Sequence, residues 1–199
     1  ELHSEHYEVP LAERRVYTQS SDPTIKDLCD RIRRGKLDLQ SEFQRMYVWA
    51  KKERLKSTLI ESVLLQIPIP VIYIAELIDG FDVVVDGQQR LRTFSDFRNK
   101  DGFKLKKLRV LEDLNGKGYA DLSEEFQDRI DTCSIRVVKI EKESHPEIKF
   151  DIFERLNRGS VKLNDQELRN CIYRGNFNAL LRELAKNSDF LKIQNLVDR

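Results

Sequence analysis

Apolar residues recur at helical spacing in some segments of the chain and alternate with polar residues in others, which predicts a mixture of helices and short strands. A first helix is predicted after residues 21–23, with Gly35 as its stop and with apolar positions at Ile25, Leu28, Cys29 and Ile32. A second is predicted from about Lys51 to Gln66, ended by two prolines, with an apolar stripe at Leu55, Leu59, Val63 and Leu64.

Three or four short strands are predicted between and after these helices. Leu37 and Leu39 alternate with polar neighbours. The β-rich runs 71–78 and 81–85 flank the hairpin signal Asp79-Gly80. The last run, 133–140, is rich in β-branched residues.

The remaining segments are helical or irregular. A helix is predicted to follow the 81–85 strand and to end near Asn99, residues 100–120 lack a period, and a short helix carries Leu122, Phe126 and Ile130. Ser144 and Glu147 have the spacing of a capping pair that opens a further helix. Helical patterns then continue to about Ala185.

These patterns predict an α/β (α+β) protein with a small mixed sheet flanked by helices and with a helical C-terminal extension. We divide the chain into an N-terminal arm over residues 1–20, an α/β domain over 21–143 and a helical extension over 144–199, the start of a longer helical region. Residues 1–20 are assigned to an arm because they show no periodicity.

Composition narrows the class of protein. Of 199 residues, 35% are charged, yet 35 basic and 34 acidic side chains leave a formal net charge of +1, so binding to nucleic acid would need a local patch. No apolar run approaches the about 20 residues of a membrane span. The three cysteines are widely spaced, which favours reduced thiols and a cytoplasmic location.

The strongest chemical signal is the block Asp86, Gly87, Gln88, Gln89 and Arg90, in which a predicted strand leads through one glycine into a predicted helix. The first turn of a helix offers unpaired N–H groups to an anion, and Gly87 allows close approach. Arg90 offers a forked donor for phosphate, the glutamines offer neutral hydrogen-bonding groups, and Asp86 is a candidate for indirect Mg²⁺ binding or for orienting water.

A purely structural interpretation of the same block stays open. Asp86 would then cap the helix and Gly87 would serve a tight turn. Arg90 would pair with Glu61 or Glu76 on a neighbouring element.

Three further groups are candidates for function. Gln44 and Arg45 lie among aromatic residues in the segment 43–49, and Asn157 lies near a predicted helix end. An aromatic-pinned loop and a plain helix cap are the structural alternatives. The basic residues of the third group are candidates for contact with a DNA backbone, or form a solvated surface: Lys104, Lys106, Lys107 and Arg109.

Four blocks in the same order resemble the N-terminal domain of GmrSD-type restriction endonucleases. They are FQRMYVW (43–49), LIESVLLQIPIPVIY (59–73), VVDGQQRLRTF (84–94) and IFERLNRGSVKLNDQELRN (152–170). The resemblance spans residues 40–170. It implies a ParB/sulfiredoxin-like fold, in which a strand–glycine–helix turn holds nucleotide phosphates.

The resemblance also implies a nucleotide-dependent restriction protein of antiviral defence. Carried over by position, it gives catalytic roles to Asp86, Gln88, Gln89 and Arg90. It gives nucleotide-binding roles to Gln44, Arg45, Gly87, Arg90 and Asn157. We therefore expect a nucleoside triphosphate with Mg²⁺ as ligand, DNA as a partner, and a further nuclease domain, C-terminal or separate, for cutting.

Two other functions stay open at this stage. One is a ParB-like DNA-binding or DNA-cleaving module that needs no nucleotide. The other is a toxin or interaction domain with a vestigial pocket. No membrane partner is expected.

Overall fold

A five-stranded mixed sheet lies at the centre of the protein in the computed structural model, which describes residues 15–39, 49, 52–77 and 80–157. The strands follow the spatial order β1-β5-β3-β4-β2. The pairs β1–β5 and β3–β4 are antiparallel, while β2–β4 and β3–β5 are parallel. The bounds are β1 (Thr18–Ser21), β2 (Leu37–Asp38), β3 (Ile72–Glu76), β4 (Asp82–Asp86) and β5 (Val137–Ile140).

Five α-helices accompany the sheet in the described residues, and the predicted α/β class with a mixed sheet is confirmed. The likeness to ParB and sulfiredoxin stays a prediction. Residues 100–120 are mostly irregular, as expected, with short 3₁₀ turns at 112–114 and 119–121. The bounds are α1 (Ile25–Arg33), α2 (Glu53–Leu64), α3 (Gln88–Arg98), α4 (Glu124–Thr132) and α5 (Pro146–Asn157).

Apolar side chains cover both faces of the sheet. On one face the helices α1 to α4 enclose the larger core, centred on Ile72, Ile74, Leu91, Phe94 and Phe97. On the other face α5 packs through Phe153 against Ala75, Val83, Val85 and Ile140. Because β3 and β4 are buried on both faces, the end of β4 is held in a rigid frame.

The structure corrects the predicted start of the first helix. The cap of α1 is Thr24, not the preceding residues 21–23, and Thr24 forms a capping box with Asp27. The stop is as predicted: Gly35 has a φ of 66°, which a glycine adopts without strain.

Three other details differ from the sequence expectations. Strand β1 begins inside the segment expected to be an arm. Leu55, assigned to the apolar stripe of the second helix, is 43% exposed, and Ile60 is buried instead. The hydroxyl of Ser144 was expected to cap α5, but it is bonded to the backbone N–H and C=O of Tyr17.

The remaining predictions concern residues outside the described part of the chain. These are most of the arm, residues 1–14, and the helices predicted after residue 157. None of the helices that the structure describes has the length and apolar content needed to cross a membrane.

Candidate functional site

Gly87 connects β4 to α3 in a left-handed conformation, with φ 95° and ψ 6°. A Cβ atom at this position would lie 2.8 Å from Cγ1 of Ile72 and 3.2 Å from Nη2 of Arg90. Any larger residue would be strained and would also collide with β3. The predicted strand–glycine–helix junction is therefore present, and its glycine is required by both conformation and space.

The first turn of α3 is uncapped. Gly87 provides no side-chain acceptor, and among the described residues no side chain accepts a hydrogen bond from the backbone N–H groups of residues 88–90. Gly87 and Gln88 are nevertheless buried. A buried helix start with unpaired N–H groups has the positive end of the helix dipole to offer to an anion.

Asp86 and Arg90 form an ion pair across this junction. Nη2 of Arg90 lies 2.8 Å from Oδ2 of Asp86 and donates a second hydrogen bond, of 3.2 Å, to the carbonyl of Val71. Nη1 donates to the carbonyl of Pro70. The structural interpretation that paired Arg90 with Glu61 or Glu76 is wrong.

Arg90 keeps part of its donor capacity. Burial lowers the pKa of its guanidinium, and the neighbouring Asp86 opposes that effect. The group remains protonated at any physiological pH. Three of its five N–H bonds are used in the contacts above, so within the described structure Nε and one hydrogen of Nη1 are left for another acceptor.

Asp86 has one oxygen engaged and one available. Oδ2 receives the bond from Arg90, while no described residue donates to Oδ1, and the side chain is 27% exposed. The β3–β4 register shifts next to this point, between Tyr73 and Ile74, so that Tyr73 lies opposite Asp86. Asp86 therefore does not cap α3. Within the described residues, its Oδ1 receives no hydrogen bond at the strand end.

The side chains near the junction limit how the expected Mg²⁺ could be bound. In the described part of the chain, no three His, Cys, Asp or Glu side chains are placed to hold a metal ion together. A metal held by protein ligands alone does not fit these residues. A Mg²⁺ ion that keeps most of its waters and is bound mainly by phosphates does fit, because it needs only one carboxylate, here Asp86.

The two glutamines make contacts that were not predicted. The side chain of Gln88 is buried, and its Nε2 donates to the backbone carbonyl of Leu39. Oε1 of Gln89 accepts a 3.2 Å hydrogen bond from the backbone N–H of Trp49. Both bonds tie the start of α3 to the chain on either side of residues 40–48.

Gln44 and Arg45 lie between these two anchor points in the sequence, but outside the described residues. Asn157 is the last residue of α5, and its side chain likewise lies outside what the structure describes. Their nucleotide-binding roles stay predictions.

The basic cluster of residues 104–109 lies on an irregular segment that is fixed to α2. The backbone N–H of Lys106 donates to the hydroxyl of Ser57, and its Nζ lies 3.0 Å from Glu53. Lys104, Lys107 and Arg109 are exposed. The four basic side chains thus lie on one surface segment, and one of them, Lys106, is paired with Glu53.

A comparison with protein-family models matches residues 25–174 to the family described as "GmrSD restriction endonuclease, N-terminal domain". The chain belongs to this family. The match includes the whole β4–α3 junction and the segments that contain Gln44, Arg45 and Asn157. Comparison of this GmrSD-type domain with curated proteins and with solved structures gave no significant match.

Several groups that form the GmrSD-type junction were not predicted from the sequence. They are Ile72, which packs against Gly87, and four backbone groups, the carbonyls of Leu39, Pro70 and Val71 and the N–H of Trp49. The proline at residue 70 was visible, but only as a helix stop. Backbone acceptors have no residue-type signature, so no pattern in the sequence could reveal them.

Proposed function

We propose that this GmrSD-type domain binds and hydrolyses a nucleoside triphosphate at the β4–α3 junction, as the nucleotide-dependent part of a DNA restriction system of antiviral defence. The observation that carries the proposal is the buried, uncapped start of α3 behind the left-handed Gly87. Family membership supports the restriction role, and the junction supports the anionic ligand.

The phosphates would be met by the N–H groups of the first turn of α3. Gly87 has no side chain to obstruct them, and Arg90 contributes positive charge and its two remaining N–H donors. Gln44, Arg45 and Asn157 are proposed as further nucleotide contacts by their positions in the family's blocks.

Asp86 would serve the hydrolytic step. Its free Oδ1 is suited to orient an attacking water or to hold a water of the Mg²⁺ shell, while Arg90 fixes Oδ2. The metal would supply charge neutralisation of the phosphates. Arg90 and the helix start would stabilise the negative charge that develops on the transferred phosphoryl group.

The test is a thermal-shift and equilibrium-binding screen of the four ribonucleoside triphosphates with Mg²⁺. A ligand present at about 100 times its Kd stabilises the folded state by about 2.7 kcal/mol, which is a measurable rise in Tm. We expect one or more nucleotides to bind, and we expect binding to weaken in Arg90→Ala and in Arg45→Ala.

Arg90 also makes internal contacts, so its variant needs a control. Arg33→Ala removes an exposed arginine at the C-terminal end of α1, whose partner is Asp30, and should leave binding intact. If Arg90→Ala does not fold, Arg45→Ala still tests nucleotide binding, and Asp86→Asn tests hydrolysis at the junction. Wild-type protein that binds none of the four nucleotides would overturn the proposal.

DNA binding without nucleotide is a second candidate function, favoured by the exposed cations of residues 104–109. Neutralising phosphates with such side chains makes affinity fall steeply with salt. The double variant Lys104→Glu/Lys107→Glu should abolish DNA retention in a mobility-shift assay at graded salt. Arg90→Ala should not affect it. No retention by the wild type would exclude this candidate.

A further inference from the structure

We propose that Gln88 and Gln89 are positioning residues for the proposed nucleotide site and not ligands of the nucleotide. Each uses its amide to hold one end of the chain segment 40–48 at the start of α3. The expected effect on nucleotide binding rests on the proposed function. The two hydrogen bonds that anchor the chain do not depend on any ligand.

The chemistry of the two partners fixes the orientation of both amides. The carbonyl of Leu39 only accepts hydrogen bonds, so Gln88 must present its NH₂ group to it. The N–H of Trp49 only donates, so Gln89 must present its oxygen. The pair therefore has opposite roles, donor at 88 and acceptor at 89.

Burial supports anchoring over ligand contact. Gln88 is only 7% exposed, and its side chain is directed to Leu39. If residues 88 and 89 had no anchoring role, Glu would suit either position, because negative charge near a helix N-terminus is favourable. The neutral amide at 88 is required here, since a carboxylate would lie against the carbonyl oxygen of Leu39.

Because residue 88 donates its hydrogen bond and residue 89 accepts one, the same substitution should have different effects at the two positions. Glu at 89 retains the acceptor for Trp49, whereas Met at 89 removes it at similar size. Glu and Met at 88 both remove the donor for Leu39. Glu at 88 would also bury a charge, because Gln88 is 7% exposed while Gln89 is more open. The hydrogen-bond effect is therefore read from the uncharged Met variants, with Gln89→Glu as the variant that keeps the acceptor.

The first readouts are taken without nucleotide. Trp49 is the only tryptophan in the sequence, so its emission reports this position alone. We expect hydrogen exchange of the Trp49 amide to be about fivefold to tenfold faster in Gln89→Met and unchanged in Gln89→Glu. For position 88, tryptic cleavage after the exposed Lys36, close to the Leu39 anchor, should be faster in both Gln88→Met and Gln88→Glu.

The second readout is nucleotide binding by the Met variants. We expect weaker binding that accompanies the altered Trp49 emission or the faster cleavage. If both Met variants keep wild-type exchange, emission and cleavage, the inference is overturned, and a loss of binding in them would then identify the glutamines as ligands. If the wild type binds no nucleotide, the proposed function fails, while the ligand-free readouts still decide the anchoring.

Discussion

Oδ2 of Asp86 lies 2.8 Å from Nη2 of Arg90, so the last residue of β4 and the third residue of α3 are joined by charge across Gly87. The pair has two effects on the candidate site. It reduces the positive charge that Arg90 offers to an anion, and it fixes the carboxylate so that Oδ1 has no donor among the described residues. The proposed phosphate contact, Arg90, and the proposed hydrolytic carboxylate, Asp86, are thus held together by one contact.

Replacing Asp86 by Asn should separate these two effects. The variant removes the negative charge beside the proposed phosphate site, so nucleotide affinity should stay the same or increase. Hydrolysis should fall by about 100-fold or more, the usual contribution of a positioned acid or base. Isothermal titration and a phosphate-release assay measure the two quantities.

Asp22→Asn is the control for Asp86→Asn. It disrupts a pair between exposed side chains, 2.6 Å from Arg136, and should change neither quantity. Undiminished phosphate release by Asp86→Asn would remove Asp86 from the hydrolytic step, although nucleotide binding at the junction would still stand.

Gly87→Ala should destabilise the domain more than Gly116→Ala does. Both glycines have positive φ, 95° and 85°. Each substitution should therefore cost about 1 kcal/mol of backbone strain. Only the Cβ at 87 meets Ile72, while nothing lies within 4 Å of the Cβ at 116. We expect a total cost of about 2 to 4 kcal/mol at 87.

Urea unfolding of the two variants measures this difference. If Gly87→Ala and Gly116→Ala lost equal stability, β3 would have to yield to the new methyl group. In that case the spatial argument for a glycine at the junction would fail, and only the argument from its conformation would remain.

Asp82 joins three elements at the opposite end of β4. Its Oδ2 lies 2.5 Å from Nη2 of Arg31 on α1, and its Oδ1 lies 3.0 Å from Nζ of Lys139 on β5. Burial by itself would lower the pKa of Lys139, but Asp82 and Glu76 outweigh burial and raise it. The carboxylate of Asp82 is therefore a stabilising centre for two cations.

Asp82→Asn should lower the free energy of unfolding by about 2 kcal/mol, because Lys139 and Arg31 are then left partly buried without their main counter-charge. Asp22→Asn, in an exposed pair, should cost less than about 1 kcal/mol. Chemical denaturation measures the free energy of unfolding of both variants. Equal losses of unfolding free energy in the two variants would mean that burial does not strengthen the ion pairs of Asp82 with Arg31 and Lys139.

The sequence predicted elements where side chains carry the signal and missed contacts where they do not. Strand β4 and the start of α3 were predicted because a run of valines meets a glycine and a polar helix start. Strand β1 was not, because all four of its residues are exposed and show no alternation. An edge strand of this kind depends on backbone bonds to β5, which leave no mark on residue type.

The candidate site has the same limit. The position of Gly87 and the composition of the junction were predictable, since only glycine suits the turn. The partners of Arg90 and of the two glutamines were not, because most are backbone groups about 20 to 50 residues away along the chain. Spacing in a sequence can suggest that two blocks belong to one site, but not which atoms join them.

Glu61 on α2 fixes the irregular segment that follows α3. Its Oε1 accepts hydrogen bonds of 3.0, 2.8 and 3.0 Å from the backbone N–H groups of Arg109, Val110 and Leu111. Burial alone would raise the pKa of this carboxyl, but the three donors and the charge of Arg109 outweigh it and hold the pKa below its ordinary value of 4.5.

The sign of the pH dependence follows from this depressed pKa. The unfolded state binds the proton first, so the stabilisation by Glu61 is fully present above the ordinary pKa and is lost as the pH falls through the folded value. Glu61→Gln keeps an acceptor oxygen but cannot ionise. It should be less stable than the wild type by about 1 to 2 kcal/mol at neutral pH, and the difference should shrink in acid.

Urea unfolding at a series of pH values, from about 7 to about 3, measures that difference. The control is Glu125→Gln, which neutralises an exposed carboxylate paired with Arg129 and should have only a small effect. A gap between wild type and Glu61→Gln that stayed constant across the series would mean that the charge of Glu61 is not what holds residues 109–111. Their anchoring would then depend on the shape of the acceptor alone.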